Sequence, residues 1–240
     1  QPKCSNVRVF SKKVRPRSAN SPGQEKIDMA NLIGVYGASG CGRGVMPLLR
    51  AQHARSAELV FVDDNPPVEV LNGHACLTYA EFVKHPASSK KVCLAIANST
   101  IREKLALRCS ADGIGFVQAR AHNVVEMDEV EIAEGAILSP FVTLTSNIKI
   151  GKHFHANLYS YVEHDCTIGD FVTFAPSVHC NGNVVIEDHA YIGAGALIKQ
   201  GLPGKPLVIG RGAVVGMGAV VTKSVPAGAV VIGNPARPKV

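Results

Sequence analysis

The sequence predicts two architectures in series, a small α/β unit with a parallel sheet and then an all-β left-handed parallel β-helix, and three observations predict them. Between about residues 32 and 118, short β-branched runs alternate with helix-like segments, the pattern of βαβ units on a parallel sheet. From Ile132 onward every sixth residue is aliphatic, small or aromatic at twelve consecutive positions, a period that neither a 3.6-residue helix nor a two-residue strand produces. Aromatics make up 5% of the 240 residues, Trp is absent and Gly numbers 23, which suits a repetitive core of small and β-branched side chains.

In chain order, residues 32–36 read as a buried strand and 45–52 as a helix, followed by a strand over 58–62, a short helix over 79–84, a strand over 91–96 and a helix over 100–112. Ser99 is the expected N-cap of that last helix, with Glu103 near the place of a capping acid. The six-residue register then runs Ile132, Leu138, Leu144, Ile150, Ala156, Val162, Ile168, Phe174, Cys180, Ile186, Ile192 and Ile198. It slips by five residues through 202–206 and resumes at Ile209, Val215 and Val221, so an inserted loop is expected there. Each step lays one short strand on one face of a triangular prism, and every eighteenth residue stacks about 4.8 Å above the last. Gly151, Gly169, Gly193, Gly210 and Gly216, each just after an aliphatic position, are expected to permit the tight corners. The division is therefore a tail over 1–31, an α/β unit over 32–120 and a β-helix over 121–240.

Composition narrows the function classes. Seven cysteines are scattered with no C-x-x-C spacing, which argues for a reducing compartment and against a zinc ribbon or a disulfide framework. Of the net charge of +6, +5 falls within residues 1–31, so the rest of the chain is nearly neutral and offers no basic stripe to nucleic acid. The tail reads as a disordered basic linker or a segment drawn to anionic lipid. Its start at Gln1 rather than Met suggests a cut from something longer, or a scar. The most apolar run, 208–233, is broken by Arg211, Lys223, Pro226 and several glycines, so no span of a membrane is expected.

Two segments carry candidate chemistry. Gly37-Ala38-Ser39-Gly40-Cys41-Gly42 lies between a strand and a helix, where backbone N–H groups can hold a phosphate, and Asp63-Asp64 ends the next strand, where an acid could meet a ribose or a base. This resembles a dinucleotide fingerprint but departs from the full G-x-G-x-x-G, and a purely structural turn is the competing reading. Val162-Glu163-His164-Asp165-Cys166 is the second. Eighteen-residue stacking puts His164 between Ser146 and Gly182, where glycine leaves room beside an imidazole. A His with an adjacent acid accepts a proton near neutral pH, the acid setting the tautomer and supporting the imidazolium; a solvated corner His is the bland alternative. His153, His155, His179 and His189 invite a metal reading, but His153 and His189 lie two coils apart, roughly 9.6 Å, too far for one zinc ion with bonds of about 2.0–2.1 Å. No metal is expected. Cys166 and Cys180 as acyl-accepting nucleophiles are discounted, because an amine attacks a thioester directly.

These segments resemble the sialic-acid and bacillosamine-type sugar O/N-acyltransferases, through the 37–42 turn, Asp63-Asp64, Ala95-Ile96-Ala97-Asn98 with Arg102, the block from Glu163 to Gly169, Cys180-x-Gly182-x-Val184 and Gly233-Asn234-Pro235-Ala236. The resemblance covers about residues 32–238. It implies an acetyl-CoA-dependent N-acetyltransferase in which His164 is the general base and Asp165 its companion, with a backbone N–H near Gly182 as oxyanion donor. Acetyl-CoA would lie beside Gly182, Ala194 and Met217, between two subunits of a homotrimer with shared sites. A nucleotide-linked amino sugar would rest on Gly37, Ala38, Ser39, Gly40, Asp63, Asp64 and Asn98. The leading expectation is the 4-amino group of a UDP-linked 4-amino-4,6-dideoxy sugar of a bacillosamine-type pathway, acted on in the cytoplasm or at the inner face of a bacterial membrane; GDP-linked amino sugars, sialic-acid O-acetylation and a silent nucleotide-sugar-binding scaffold are the alternatives. Some relatives are fused behind a membrane-bound phosphoglycosyltransferase, which makes residues 1–31 a candidate linker to such a partner. The sequence departs from the pattern at Thr173, where several relatives carry a second His, and at His122-Asn123, where relatives often have His-Pro.

Overall fold

The structure is a computed structural model and describes residues 31–239, so nearly all of the expected basic tail lies outside the described residues. β1 (Asn31–Tyr36), α1 (Gly40–His53), β2 (Ala57–Val62), β3 (Val70–Leu71), β4 (His74–Leu77), α2 (Tyr79–Lys84), β5 (Lys90–Leu94), α3 (Ser99–Ala111) and β6 (Gly115–Phe116) follow in order. They form one sheet, β3-β4-β2-β1-β5-β6. All pairings are parallel except the β3–β4 hairpin. The two central strands are buried on both faces, which is why they read as unbroken apolar runs.

Two boundaries differ from the sequence expectation. α1 starts at Gly40 rather than 45, because its glycine-rich first turn carries no hydrophobic period. Asn98, not Ser99, caps α3: its Oδ1 accepts from the Ile101 N–H at 3.0 Å, and its backbone is extended (φ −69°, ψ 114°), as an N-cap requires.

The β-helix begins with Ala119–Arg120 and builds three sheets, parallel throughout except for the last strand, Arg237–Pro238, which pairs antiparallel with Val230–Ile232. On the first face Ile137–Leu138, His155–Ala156, Thr173–Phe174 and Tyr191–Ile192 stack in succession. Thr143–Leu144, Tyr161–Val162, His179–Cys180 and Leu197–Ile198 form the second, and Ile148–Ile150, Thr167–Ile168 and Val184–Ile186 the third. The hexad positions point inward: Leu138, Leu144, Phe174, Cys180, Ile192 and Ile198 are fully buried. The register shift at 202–206 is a tight loop closed by two Leu202–Lys205 backbone hydrogen bonds of 3.1 and 2.9 Å, beyond which pairing resumes with Ile186 opposite Ile209.

The glycines after the aliphatic positions play a different part from the one expected. Positive φ falls two residues later, on His153, Phe171, Gly195, Gly212 and Gly218, and at the equivalent corner positions on Phe141, Asn147, Tyr159, Asp165, Ser177, Asn183 and His189, and not on Gly151, Gly169, Gly193, Gly210 or Gly216. Those glycines are instead demanded by the coil above. A Cβ on Gly193 would sit 2.5 Å from the Met217 nitrogen and 2.7 Å from the Gly216 carbonyl carbon, backbone atoms that the sheet ladders hold in place. Gly193→Ala is therefore expected to destabilise the β-helix by about 1–3 kcal/mol, read as a lowered urea midpoint.

The α/β unit docks on the first face. Outward residues there would otherwise meet solvent, yet Ala119, Ile137, His155 and Thr173 are all under 5% exposed. α1 covers Ala119 and Ile137, which share one apolar cluster with Val45, Met46 and Leu49, while Thr173 is held by Arg102 of α3 and the Ala97 carbonyl. At the neighbouring corner His153 packs edge-on to Phe116 of β6 and stacks on Phe171, which in turn stacks on His189.

Candidate active site

His164 and Asp165 sit at the corner after Tyr161–Val162. Stacking follows the eighteen-residue rule: Asp165 N–H donates to the Ser146 carbonyl at 3.1 Å, and the Asn183 N–H to the His164 carbonyl at 2.9 Å. Asp165 takes the left-handed corner conformation (φ 59°), which turns its carboxylate back to the imidazole, Oδ2 to Nδ1 at 2.8 Å. Asn147 Nδ2 approaches the other carboxylate oxygen at 3.4 Å. Nε2 is thereby left facing outward on a ring that is about half exposed. The hydrogen bond to Asp165 raises the His164 pKa above its ordinary value, with the nearby charges of Asp165 and Glu163 adding to it. A Cβ on Gly182 would lie 2.6 Å from His164 Nε2, so that glycine keeps open the space beside the basic nitrogen.

Glu163, to which the sequence reading gave no role, changes the picture of the acyl side. Its Oε2 accepts from the Gly182 N–H at 3.2 Å, while the Asn181 and Asn183 N–H groups serve the Ile198 and His164 carbonyls. The amides expected to face an oxyanion are thus engaged within the chain, and Gly182 becomes available only when Glu163 turns away. Gly182 stands at the corner after the second face, and Ala194 with Met217, which is 81% exposed, at the corner after the first. One chain does not bring the three together. Cys166 and Cys180 point into the prism and are 1% and 0% exposed, which removes them as acyl acceptors.

The 37–42 turn is built for close approach. Gly37 has φ 111°, and a Cβ on Gly42 would run into the Gly37 carbonyl. Asp63 serves the turn itself: Oδ2 accepts from Ala38 N–H at 2.9 Å and Oδ1 from Asn65 N–H at 3.0 Å. It and the Ala38 amide are therefore spent on structure. Asp64 is half exposed and takes Tyr36 Oη and Arg108 Nη1, both at 3.0 Å. The Ser39 side chain makes no cap, and α1 has no acid in its first turn, so this helix N-terminus suits an anionic ligand. Asn98 uses its carbonyl oxygen on α3 and lies on the rim of a smaller cleft with Thr173 and Tyr191.

A cleft of about 470 Å³ runs between α1 and the first face, from Gly40 and Cys41 to His155, Asn157 and Thr173. Arg102 holds two of its lining residues, Ala97 and Thr173. Fully buried, this side chain donates to the carbonyls of Ile96 (2.6 Å) and Ala97 (3.1 Å) in one unit and to Phe171 O (2.6 Å) and Thr173 Oγ1 (3.0 Å) in the other. Burial lowers its pKa to about 10. Thr173, the departure noted in the sequence, is thus a partner of Arg102. Among the described residues no three His, Cys, Asp or Glu side chains converge as metal ligands, and Phe171 stands between His153 and His189. The sequence marked His155 only as an outward hexad residue and as one of the histidines weighed for metal; nothing in it told that the α/β unit would cover it.

The comparisons with known proteins agree with this geometry. The family description for the PglD N-terminal domain matches residues 32–109. A GDP-perosamine N-acetyltransferase from Escherichia coli O157:H7 is 51% identical over 211 residues, 86% of this chain and 96% of that protein. The chain belongs to the hexapeptide-repeat sugar N-acetyltransferases. Among solved structures, WeeI from Acinetobacter baumannii AYE is similar at a TM-score of 0.85 and 59% identity, covering 88% of this chain and 100% of WeeI. The acetyltransferase domain of PglB from Neisseria gonorrhoeae FA1090, in complex with acetyl coenzyme A, is similar at 0.78 and 25% identity, covering 88% and 100%. Family and fold are those that the resemblance implied. No helix among the described residues is long and apolar enough to cross a membrane.

Proposed function

We propose that this enzyme transfers the acetyl group of acetyl-CoA to the 4-amino group of a GDP-linked 4-amino-4,6-dideoxy hexose. The observation that carries the reading is the His164–Asp165 pair beside the space held open by Gly182, in a chain 51% identical to a GDP-perosamine N-acetyltransferase. That relative moves the nucleotide from the UDP led by the sequence reading to GDP.

Acetyl-CoA supplies an activated acyl carbon. His164 Nε2 takes a proton from the attacking amine; the C–N bond forms, the C–S bond breaks, and the proton passes to the departing thiolate. Asp165 holds the imidazole tautomer and supports its charge. Glu163 releases the Gly182 N–H, which then faces the thioester oxygen. The uncapped first turn of α1 takes the diphosphate, with Ser39 and Gly40 beside it. His164 belongs to the corner one prism face away from the cleft, and Gly182 lies at a different corner from Ala194 and Met217. A homotrimer with sites shared between neighbours brings these surfaces together. Both substrates being soluble metabolites, the reaction is assigned to the cytoplasm.

The test is thiol release from acetyl-CoA with GDP- and UDP-linked amino sugars. Release with the GDP-linked 4-amino sugar at 10-fold or greater preference in kcat/KM is expected. Preference for the UDP-linked sugar would restore the bacillosamine-type reading, and release only with a hydroxyl acceptor would replace N- by O-acetylation.

A further inference from the structure

The prism edge that carries His164 is charged in two halves. The ladder stacks Asp128, Ser146, His164 and Gly182 in one column, through the bonds from Asn147 N–H to the Asp128 carbonyl (3.1 Å), from Asp165 N–H to the Ser146 carbonyl (3.1 Å) and from Asn183 N–H to the His164 carbonyl (2.9 Å). The corners at and below His164, residues 127–129, 145–147 and 163–165, hold Asp128, Glu129, Glu163 and Asp165 and no Lys or Arg. The corners above it, residues 181–183, 199–206 and 222–224, hold Lys199, Lys205 and Lys223 and no Asp or Glu. All three lysines are exposed, and none forms an ion pair among the described residues.

Lys205 reaches this edge through the inserted loop. Ile168 pairs with Ile186 at the regular spacing, but Ile186 pairs next with Ile209. The additional residues leave and rejoin the ladder at the catalytic column: Gly201 N–H donates to the Gly182 carbonyl at 3.0 Å, and Leu207 N–H to the Asn183 carbonyl at 3.1 Å. The segment between them is a fixed turn, with reciprocal Leu202–Lys205 backbone bonds of 3.1 and 2.9 Å, Gly204 at φ 71°, and Pro203 and Pro206 restricting the rest. It presents Leu202, 63% exposed, beside Lys205. Strand pairing on the faces continues past the loop, and ordering extra residues costs conformational entropy, so the fold of the β-helix gives no reason for it.

Acetyl-CoA is divided as the edge is, with a thioester at one end of its pantetheine arm and phosphates at the other. The thioester must enter the space beside His164 Nε2 and Gly182. From there the phosphates would meet carboxylates in one direction along the edge and ammonium groups in the other, on coils about 9.6 and 14.4 Å above His164. Juxtaposed like charges oppose binding and opposite charges fix orientation, and lysine binds phosphate as a compact point charge. The diphosphate of the nucleotide sugar has its own place at the first turn of α1, over the first face, and makes no demand on these lysines.

We propose that the charge of the catalytic edge orients acetyl-CoA, its arm running toward the C-terminal coils and its phosphates lying on Lys199, Lys205 and Lys223, and that the inserted 202–206 turn is a wall of the acyl-donor site that places Lys205 there. The inference rests on acetyl-CoA as the donor in the reading above and adds its direction on the edge and the side chains that set it.

The test compares acetyl-CoA with acetyl-pantetheine, which keeps the thioester and the arm but has no phosphate. Changing all three lysines (Lys199→Gln, Lys205→Gln and Lys223→Gln) is expected to raise KM for acetyl-CoA about 10–100-fold, and Lys205→Gln alone about 2–5-fold. KM for acetyl-pantetheine and for the nucleotide sugar should stay unchanged. Lys149→Gln, on the third face and paired with Glu131 at 3.7 Å, removes a charge elsewhere and should alter none of these values. A triple variant within about twofold of wild type on acetyl-CoA, or one that loses acetyl-pantetheine equally, overturns the proposal, as does a rise in KM for the nucleotide sugar in place of acetyl-CoA. Calorimetry with CoA and with pantetheine needs neither turnover nor sugar: the wild type should bind CoA the more tightly, and the triple variant should close most of that gap. Equal affinity of the wild type for the two ligands, or an unchanged gap in the variant, also overturns it. A failure to acetylate any amino sugar would refute the proposed function, while the gap between CoA and pantetheine is read separately.

Discussion

His164→Ala is expected to lower kcat by about 10²–10⁴-fold without changing the fold, since its half-exposed ring fills no part of the core. Thiol release and circular dichroism on the same preparations would check both halves. The base must be unprotonated to act, and hydrogen bonding to Asp165 raises its pKa. Activity should therefore climb with pH through a midpoint above the usual histidine value and then level off. Asp165→Asn should move that midpoint to lower pH while reducing the plateau, because the amide neither stabilises the imidazolium nor enforces the tautomer as a carboxylate does. A His164→Ala enzyme within threefold of wild type would remove the residue from the chemistry, and an unmoved midpoint in Asp165→Asn would detach the pair from the rate.

The chain shows clearly what kinds of information a sequence carries. Hexads such as Leu144, Val162, Cys180 and Ile198 are local and periodic, so stacking, register and the five-residue slip followed from counting. His164 beside Gly182 followed as well, because both lie on one ladder whose geometry the repeat dictates. The corner glycines were misread for a related reason: counting finds where a Gly recurs but not whether it answers a positive φ or the backbone of the next coil, and Gly193 is constrained by Met217 and Gly216.

Contacts between the two units left no such trace. His155 and Thr173 occupy outward positions indistinguishable by pattern from Tyr161 and His179 on the next face, and only the docking of the α/β unit buries the first pair. Asp63 illustrates a second limit. An acid at a strand end suits a ribose and a turn amide equally well, and the choice was made by the Ala38 N–H at 2.9 Å. Asn98 went the same way, its acceptor being taken by the first turn of α3.

The largest effect on stability is expected at Arg102. Arg102→Met keeps much of the side-chain volume but strips hydrogen bonds from the Ile96, Ala97 and Phe171 carbonyls, of which that of Phe171 lies in the buried part of the interface. Hydrogen bonds from a charged donor are worth about 1.5–3 kcal/mol each, and a buried acceptor left unpaired costs about 1–3 kcal/mol. Desolvation of the guanidinium, visible in its lowered pKa, is regained on removal and offsets part of this. A net loss of about 3–5 kcal/mol is expected, measured as a fall in the urea midpoint. Arg102→Lys should recover only a fraction, since a point ammonium cannot span carbonyls that the planar fork bridges. Arg108 is the control: it is 45% exposed, pairs with Asp64 at 3.0 Å and lies over the Tyr79 ring, so Arg108→Met should cost no more than about 1 kcal/mol. Were the two methionine variants equally stable, Arg102 would not be the bolt between the units. If Arg102→Met unfolds early as expected, the loop from Ile96 to Asn98 and the Thr173 hydroxyl should shift even where it remains folded, raising KM for the amino sugar more than for acetyl-CoA.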